Sequence, residues 1–357
     1  MTTLTHAHNE WASRRDDEKF SSLRDLHRKA VDDRAFGVET ETEISCALAE
    51  DGDVKMFTKS GEIATFTNWS FGQLCSTLKP AAPASYLQGL SPPLAADCIN
   101  EGLAKHDIGK RQFLFTGDHA KPVARAMVSD SYSRIWNAEI TSRLLELEAD
   151  GPWQPAPAAF DGSRGLYLGD RDMFAFMVDS GRRIFEHAPG GGLSRGFFVA
   201  NSEVGARSFM VMTFLYEYVC GNHRVWGASQ VKEIRIRHVG KDVNAKAFSG
   251  LHAELVAYAE SSAADDELKI SAAMKCILGP DKDGRSYRLF GLRVPGLAYR
   301  TLNEAYDLAE QRVNWYGNPR SAWGMSGALT EIARDKPNAD DRVALEMASS
   351  KVLEIAH

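Results

Sequence analysis

No apolar run in this chain approaches the roughly 20 residues that a membrane-spanning helix needs, and the longest, Phe209 to Val219, is interrupted by Glu217. A membrane protein is therefore not expected. The opening, MTTLTHAHNEWASRRDDEKF, is polar and acidic where a signal peptide would carry a basic end and an apolar stretch, which predicts a cytoplasmic protein. Cysteine is scarce: Cys46, Cys75, Cys98, Cys220 and Cys276 are widely spaced with no CxxC pair, so neither a disulfide framework nor a zinc knuckle is expected. HExxH and the phosphate loop GxxxxGK are both missing, and no cofactor is expected. These absences weigh against the commonest hydrolases and nucleotide-binding enzymes.

What is present is 357 residues with 44% hydrophobic and 25% charged content, enough for one large core or two modest ones. The net charge of -6 is unevenly spread. Met1 to Val54 holds thirteen Asp and Glu against seven Lys and Arg, whereas Gly181 to Gly250 holds ten Lys and Arg against five Asp and Glu. The chain is organised around the block Gly190 to His238. There Phe197 to Ala200 and Phe209 to Met212 read as a hairpin of buried strands about a polar Asn-Ser-Glu turn. Further on, Lys232, Arg235 and Arg237 alternate with Val231, Ile234 and Ile236. A period of two places Arg235 and Arg237 on one strand face and Ile234 and Ile236 on the other.

In chain order, Glu10 to Arg34 reads as an amphipathic helix and Val38 to Leu48 as an exposed strand, with a turn at Asp51-Gly52. Asn68 or Ser70 caps a short helix through Leu78, and a proline-rich linker leads to a helix from Leu94 to Lys105 whose side chains suit packing better than base reading. Arg111 to Thr116 and Pro122 to Ser129 form a hairpin, and Asn137 caps the next helix. Asp150 to Arg164, with three prolines, reads as a loop. Gly165 to Leu168 and Met173 to Val178 are strands, and the last third, from Asn244, is largely helical. The expected fold is α+β: a central, mostly antiparallel sheet from Arg111 to His238, flanked by N-terminal helices and the helical C-terminal third. The segments are 1–54 (acidic arm), 55–150 (helices plus hairpin), 151–240 (core sheet) and 241–357 (helical), grouped as one compact domain with an arm.

RAMVSDSYSRIWNAEI (Arg125 to Ile140), GLYLGDRDMFAFMVD, FFVANSEVGARSFMVMTFLYEYVCGNHRVWG and NPRSAWGMSGALTEIARD (Asn318 to Asp335) carry a resemblance. In these blocks, scattered over Phe57 to Asp335, the chain is similar to the phage/plasmid-like proteins grouped as a domain of unknown function. It departs from their usual pattern at Asn222-His223. The resemblance implies a mobile-element setting inside a bacterial host cell and brings no activity or catalytic residues.

Several chemistries can be set against the residues. Asp170, Asp172, Glu203, His223 and His238 are candidates for a metal-dependent nuclease, though in no ligand spacing, and Cys220 with His223 is a candidate nucleophile pair better read as a core thiol. Binding of nucleic acid, with single-stranded DNA favoured, is better grounded. Arg182, Arg183, Arg195, Arg207, Arg224, Lys232, Arg235 and Arg237 would line a groove for phosphates, and Tyr132, Trp136 and Trp226 would offer stacking faces. The expectation is a homo-oligomeric protein that binds or anneals single strands in mobile-element replication or recombination. The alternative is a non-enzymatic oligomeric structural or host-defence-antagonist protein.

Overall fold

In this computed structural model the chain folds as an α+β protein. Described are residues 16–78, 83–116, 122–156, 165–186, 192–217, 223–224, 234–240, 242–291, 297–334, 345, 348–349 and 351–356. Trp226, Lys232, Cys220 and the first turns of the helix expected from Glu10 lie outside them, as do the side chains of His223 and Arg224. Among the described residues no helix is long and apolar enough to cross a membrane.

The strands sort into two sheets where the sequence suggested one. The larger is antiparallel, in the order β1 (Lys19–Phe20), β9 (Leu166–Leu168), β10 (Met173–Asp179), β11 (Leu193–Asn201), β12 (Phe209–Glu217) and β13 (His223–Arg224). Two short strands complete it: β8 (Trp153–Pro155) on β10, inside the expected loop, and β14 (Ile234–Ile236) on β12. Because alternate residues point to opposite faces, β10 to β12 feed two cores. Met173, Ala175, Met177, Phe197, Val199, Phe209 and Val211 face the helices α1 (Leu23–Ala35), α5 (Asn137–Asp150), α6 (Val243–Phe248) and α7 (Leu251–Glu260). Phe174, Phe176, Val178, Phe198, Met210, Phe214 and Tyr216 form a buried cluster on the other face. Burial on both faces is why these strands read as unbroken apolar runs rather than alternating ones. Gly196 is required here: a Cβ in its place would sit 2.5 Å from the Phe214 ring and 2.8 Å from the Met177 carbonyl oxygen.

The smaller sheet has the order β2 (Val38–Thr42), β6 (Arg111–Thr116), β7 (Val123–Val128), β5 (Ile63–Phe66), β4 (Asp53–Thr58) and β3 (Ile44–Glu50). Its two edge strands, β2 and β3, are separated in sequence by Glu43 alone. The edges therefore belong to one bent strand and the sheet closes on itself. Counting that bent strand as the first, the order around the barrel is first, second, third, fifth, fourth and back to the first. The third and fifth, β5 and β7, are parallel and every other pair is antiparallel. The helices α2 (Asn68–Leu78), α3 (Ala84–Gln88) and α4 (Pro92–Lys105) fall between the third and fourth strands and fill the barrel with Phe71, Leu74, Leu78, Leu87 and Ile99. This is the connectivity of the five-stranded OB barrel. The residues read as an acidic arm thus supply the first strand of a closed barrel, and α1 buries Leu23, Leu26 and Ala30 in the main core.

The C-terminal third is helical. Its helices are α8 (Ala264–Lys275), α9 (Lys282–Gly291), α10 (Tyr299–Gln311), α11 (Val313–Tyr316) and α12 (Ala322–Arg334), of which α9, α10 and α12 build a core of their own around Leu302, Tyr306, Met325 and Leu329. Trp323 and Ile270 join it to Leu193 and Leu215 of the larger sheet.

Candidate nucleic-acid interface

The Asn-Ser-Glu-Val-Gly turn after β11 is where the two sheets meet. Ser202 folds the turn on itself, its hydroxyl oxygen accepting from the Val204 and Ala206 N–H groups while donating to the Arg171 carbonyl. Gly205, at φ +79°, supplies the left-handed residue the turn needs. The Val204 carbonyl accepts from Trp69 Nε1 and Gln73 Nε2 on α2, and Gln73 Oε1 in turn accepts the Met127 N–H of β7. Glu203, 1% exposed, accepts the Asn137 N–H at the start of α5 (2.8 Å) and Arg125 Nη1 (3.2 Å). Arg125 sits at a bulge: Leu114 pairs with Ala126 and Phe115 with Ala124, which leaves it as the extra residue on β7 and re-aims its side chain. Burial pushes the Glu203 carboxyl above its ordinary 4.5 against the pull of Arg125 and the Asn137 N–H.

Beside this junction two of the expected stacking rings, Tyr132 and Trp136, are already engaged. Tyr132 stacks on His238 (5.1 Å between centroids, 9° between planes) and donates its hydroxyl to the Ser202 carbonyl. The Arg134 guanidinium lies over both Tyr132 (5.3 Å) and Trp136 (5.5 Å), and Arg34 also lies over Trp136 (5.3 Å). Arg134 Nε donates to Glu39 Oε1, while its two terminal nitrogens are buried with no hydrogen-bond acceptor among the described residues and meet ring faces instead. Tyr132 and Trp136 therefore hold a ladder of rings and guanidinium groups together, a correction to their reading as faces open to bases.

His238, 5% exposed, closes the ladder with Nδ1 on the Ser133 carbonyl, and burial lowers its pKa from 6.5 to about 4. Between those values the unfolded chain binds a proton that the folded one does not, so stability falls as pH drops from 6.5 to 4. The expected loss is about 3 kcal/mol. Urea midpoints at pH 7 and pH 4 should show it, and His238→Gln should remove that share of the dependence.

The expected cationic groove is divided. Arg195 is 5% exposed and wholly committed: it donates to the carbonyls of Tyr258, Ser261 and Ser262, closing the C-terminus of α7, and to Asp266. Arg207 is paired with Asp172 at 2.5 Å, both side chains less than 10% exposed, and lies over the Phe174 ring. Both were expected to meet phosphates; both are buried structural cations. Arg182 and Arg183 are exposed, with Arg182 donating to the Ala259 carbonyl. They stand at the Ser194 end of β11, whereas Arg235 pairs with Met210, which faces Ala200. Those ends are six positions apart, about 20 Å along the strand. Arg235 and Arg237 are both exposed while Ile234 and Ile236 pack into the main core, as their alternation predicts.

Among the described residues, outside which the His223 side chain lies, the metal candidates do not assemble. Asp172 belongs to Arg207, Glu203 to Arg125, and His238 to Tyr132; among the described residues no group of three His, Cys, Asp or Glu could hold a metal ion. The barrel offers a surface that sequence reading missed. Cys46, Phe57 and Ile63 lie opposite one another across β3, β4 and β5, with Leu48 opposite Lys55, and Ile63 and Leu48 are exposed. Around them Lys55 pairs with Glu50 and Asp51, and Lys59 with Glu43, so acid outweighs base. The period-two pattern of Ile63-Ala64-Thr65-Phe66 was its only local signal. The chain matches no family model, no curated protein and no solved structure.

Proposed function

We propose that this is a nucleic-acid-binding protein, acting on single strands in the replication or recombination of a phage or plasmid. The observation that carries the reading is the closed strand order of the smaller sheet, a connectivity whose strand faces and loops hold oligonucleotides in many unrelated proteins. That is an argument from fold, and it is paired with the exposed Arg235 and Arg237, which carry no ion pair among the described residues. Phosphates would be met at β14 rather than on the barrel face, where each lysine already has a carboxylate.

The charge count sets the strength of the salt effect. Eight converging cations would give a log-log salt slope near -5.6 for a single strand, at about -0.7 per phosphate contact. With Arg235 and Arg237 alone the slope is about -1.4, and about -2.8 if Arg224 and Lys232 of the same segment join them. A gel-shift titration with single- and double-stranded oligonucleotides over a salt series measures it. Arg235→Glu with Arg237→Glu should abolish retardation, and no retardation of the parent protein at low salt overturns the reading.

The exposed Leu48 and Ile63 beside Phe57, rimmed by carboxylates, favour a second reading as a non-enzymatic homo-oligomeric interaction protein. A protein that retards neither oligonucleotide yet sediments as an oligomer would replace the first reading with this one.

A further inference from the structure

A pocket of about 410 Å³ opens at one mouth of the barrel, between the β3–β4 turn, the start of α2, and the α3–α4 corner. Its size lies within the range of small-molecule sites, and barrel mouths are among the places where such sites recur. Phe66, Phe71, Leu87 and Leu90 are among its apolar lining, the two rings meeting edge to face at 5.7 Å. A flat ring system is the shape such walls accept.

The polar lining is sparse and specific. Gln88 Nε2 donates to Asn68 Oδ1 at 3.1 Å, which leaves the Asn68 amide N–H groups and the Gln88 carbonyl oxygen without a partner among the described residues. If both amides were turned over, one donor and one acceptor would still remain. A linked amide pair of this kind presents a donor beside an acceptor, the complement of a ring edge that carries an acceptor beside an amino group. Adenine has such an edge at N7 and N6. Among the described residues no lysine or arginine lines the pocket, and the one charged group there is the Asp53 carboxylate, which disfavours a phosphate.

We propose that this pocket binds an uncharged adenine-type heterocycle, either a free nucleoside or an unstacked base of a single strand. The site is separate from the cations of β14, so its failure and the failure of the phosphate reading are distinguishable.

Calorimetric titration of the full chain with adenosine tests it. Saturable binding is expected, about tenfold weaker for purine riboside, which lacks the amino group, and weaker again for adenosine 5′-monophosphate. Gln88→Leu and Asn68→Asp, both at exposed positions, should each weaken adenosine by about tenfold or more with unchanged far-ultraviolet circular dichroism. The Arg235→Glu/Arg237→Glu variant should bind adenosine as the parent does. Displacement of adenosine by an oligoadenylate in that variant would identify a strand's base as the source, and its absence a free nucleoside. No saturable binding at millimolar adenosine, equal affinity for the monophosphate, or indifference to both pocket variants would each overturn the proposal.

Discussion

Arg195→Ala is expected to lower the stability of the protein by about 3–5 kcal/mol. The reason is the number of groups that converge on one guanidinium. Nη1 serves the carbonyls of Tyr258 and Ser261, Nη2 serves Ser262 and Asp266, Nε also reaches Asp266, and the fork lies over the Tyr258 ring at 5.0 Å. With the side chain removed, the Asp266 carboxylate, 5% exposed, stays in the interior without its counter-charge, and the last carbonyls of α7 lose their donor. Arg195→Lys should recover little, because an ammonium group lacks the planar fork that reaches four oxygens across the corner between α7 and α8. Urea unfolding of the two variants measures the loss. Nucleic-acid affinity per folded molecule should not change. A drop in affinity at undiminished stability would return Arg195 to the binding surface and sink the structural assignment.

The same arginine marks where sequence reading stops. Its charge was visible, but its partner lies 71 positions downstream, and Asp172 lies 35 positions before Arg207; a local window cannot pair them. Tyr132 and Trp136 failed as open stackers for a related reason, since Arg34 and His238 reach them from α1 and from beyond β14. The features that could be read were periodic. Ile234, Arg235, Ile236 and Arg237 alternate as a strand with one buried face, and they do so in the fold. The helices at Asn68 and Asn137 were recognisable, although the cap expected of Asn137 is not made: Trp136 is the N-cap residue and no side chain caps that end. The barrel was hidden because its closing strand reads as one stretch, Val38 to Leu48, and nothing local says that its two halves pair with strands on opposite sides. Of the thirteen acidic residues that made the first 54 look like an arm, six, from Glu39 to Asp53, lie on that barrel's strands and turns. The Asn-Ser-Glu turn stood out as a motif, but its task of holding two sheets together needed the second sheet.

Glu203→Ala should cost a similar amount, about 3–5 kcal/mol, and the way the loss combines with changes at Arg125 is the sharper test. Glu203 joins β11 to the bulge of β7 and to the first N–H of α5, where a carboxylate is also favoured by the helix dipole. Removing either side chain strands the other charge, so Arg125→Met alone and Glu203→Leu alone should each be severe. The double variant should be no worse than the worse single, because an apolar pair of similar volume leaves no buried charge. Strictly additive losses would mean that the two side chains are not coupled. The pH dependence has a definite sign. Burial holds the Glu203 carboxyl above 4.5, so the folded chain binds the extra proton, and this group's share of stability declines as pH rises upward from 4.5. His238 acts in the opposite sense between about 4 and 6.5. The two slopes offset each other in the parent protein where their windows overlap, and only variants separate them. Against the parent, Glu203→Leu should make acid unfolding steeper over that overlap and His238→Gln should flatten it.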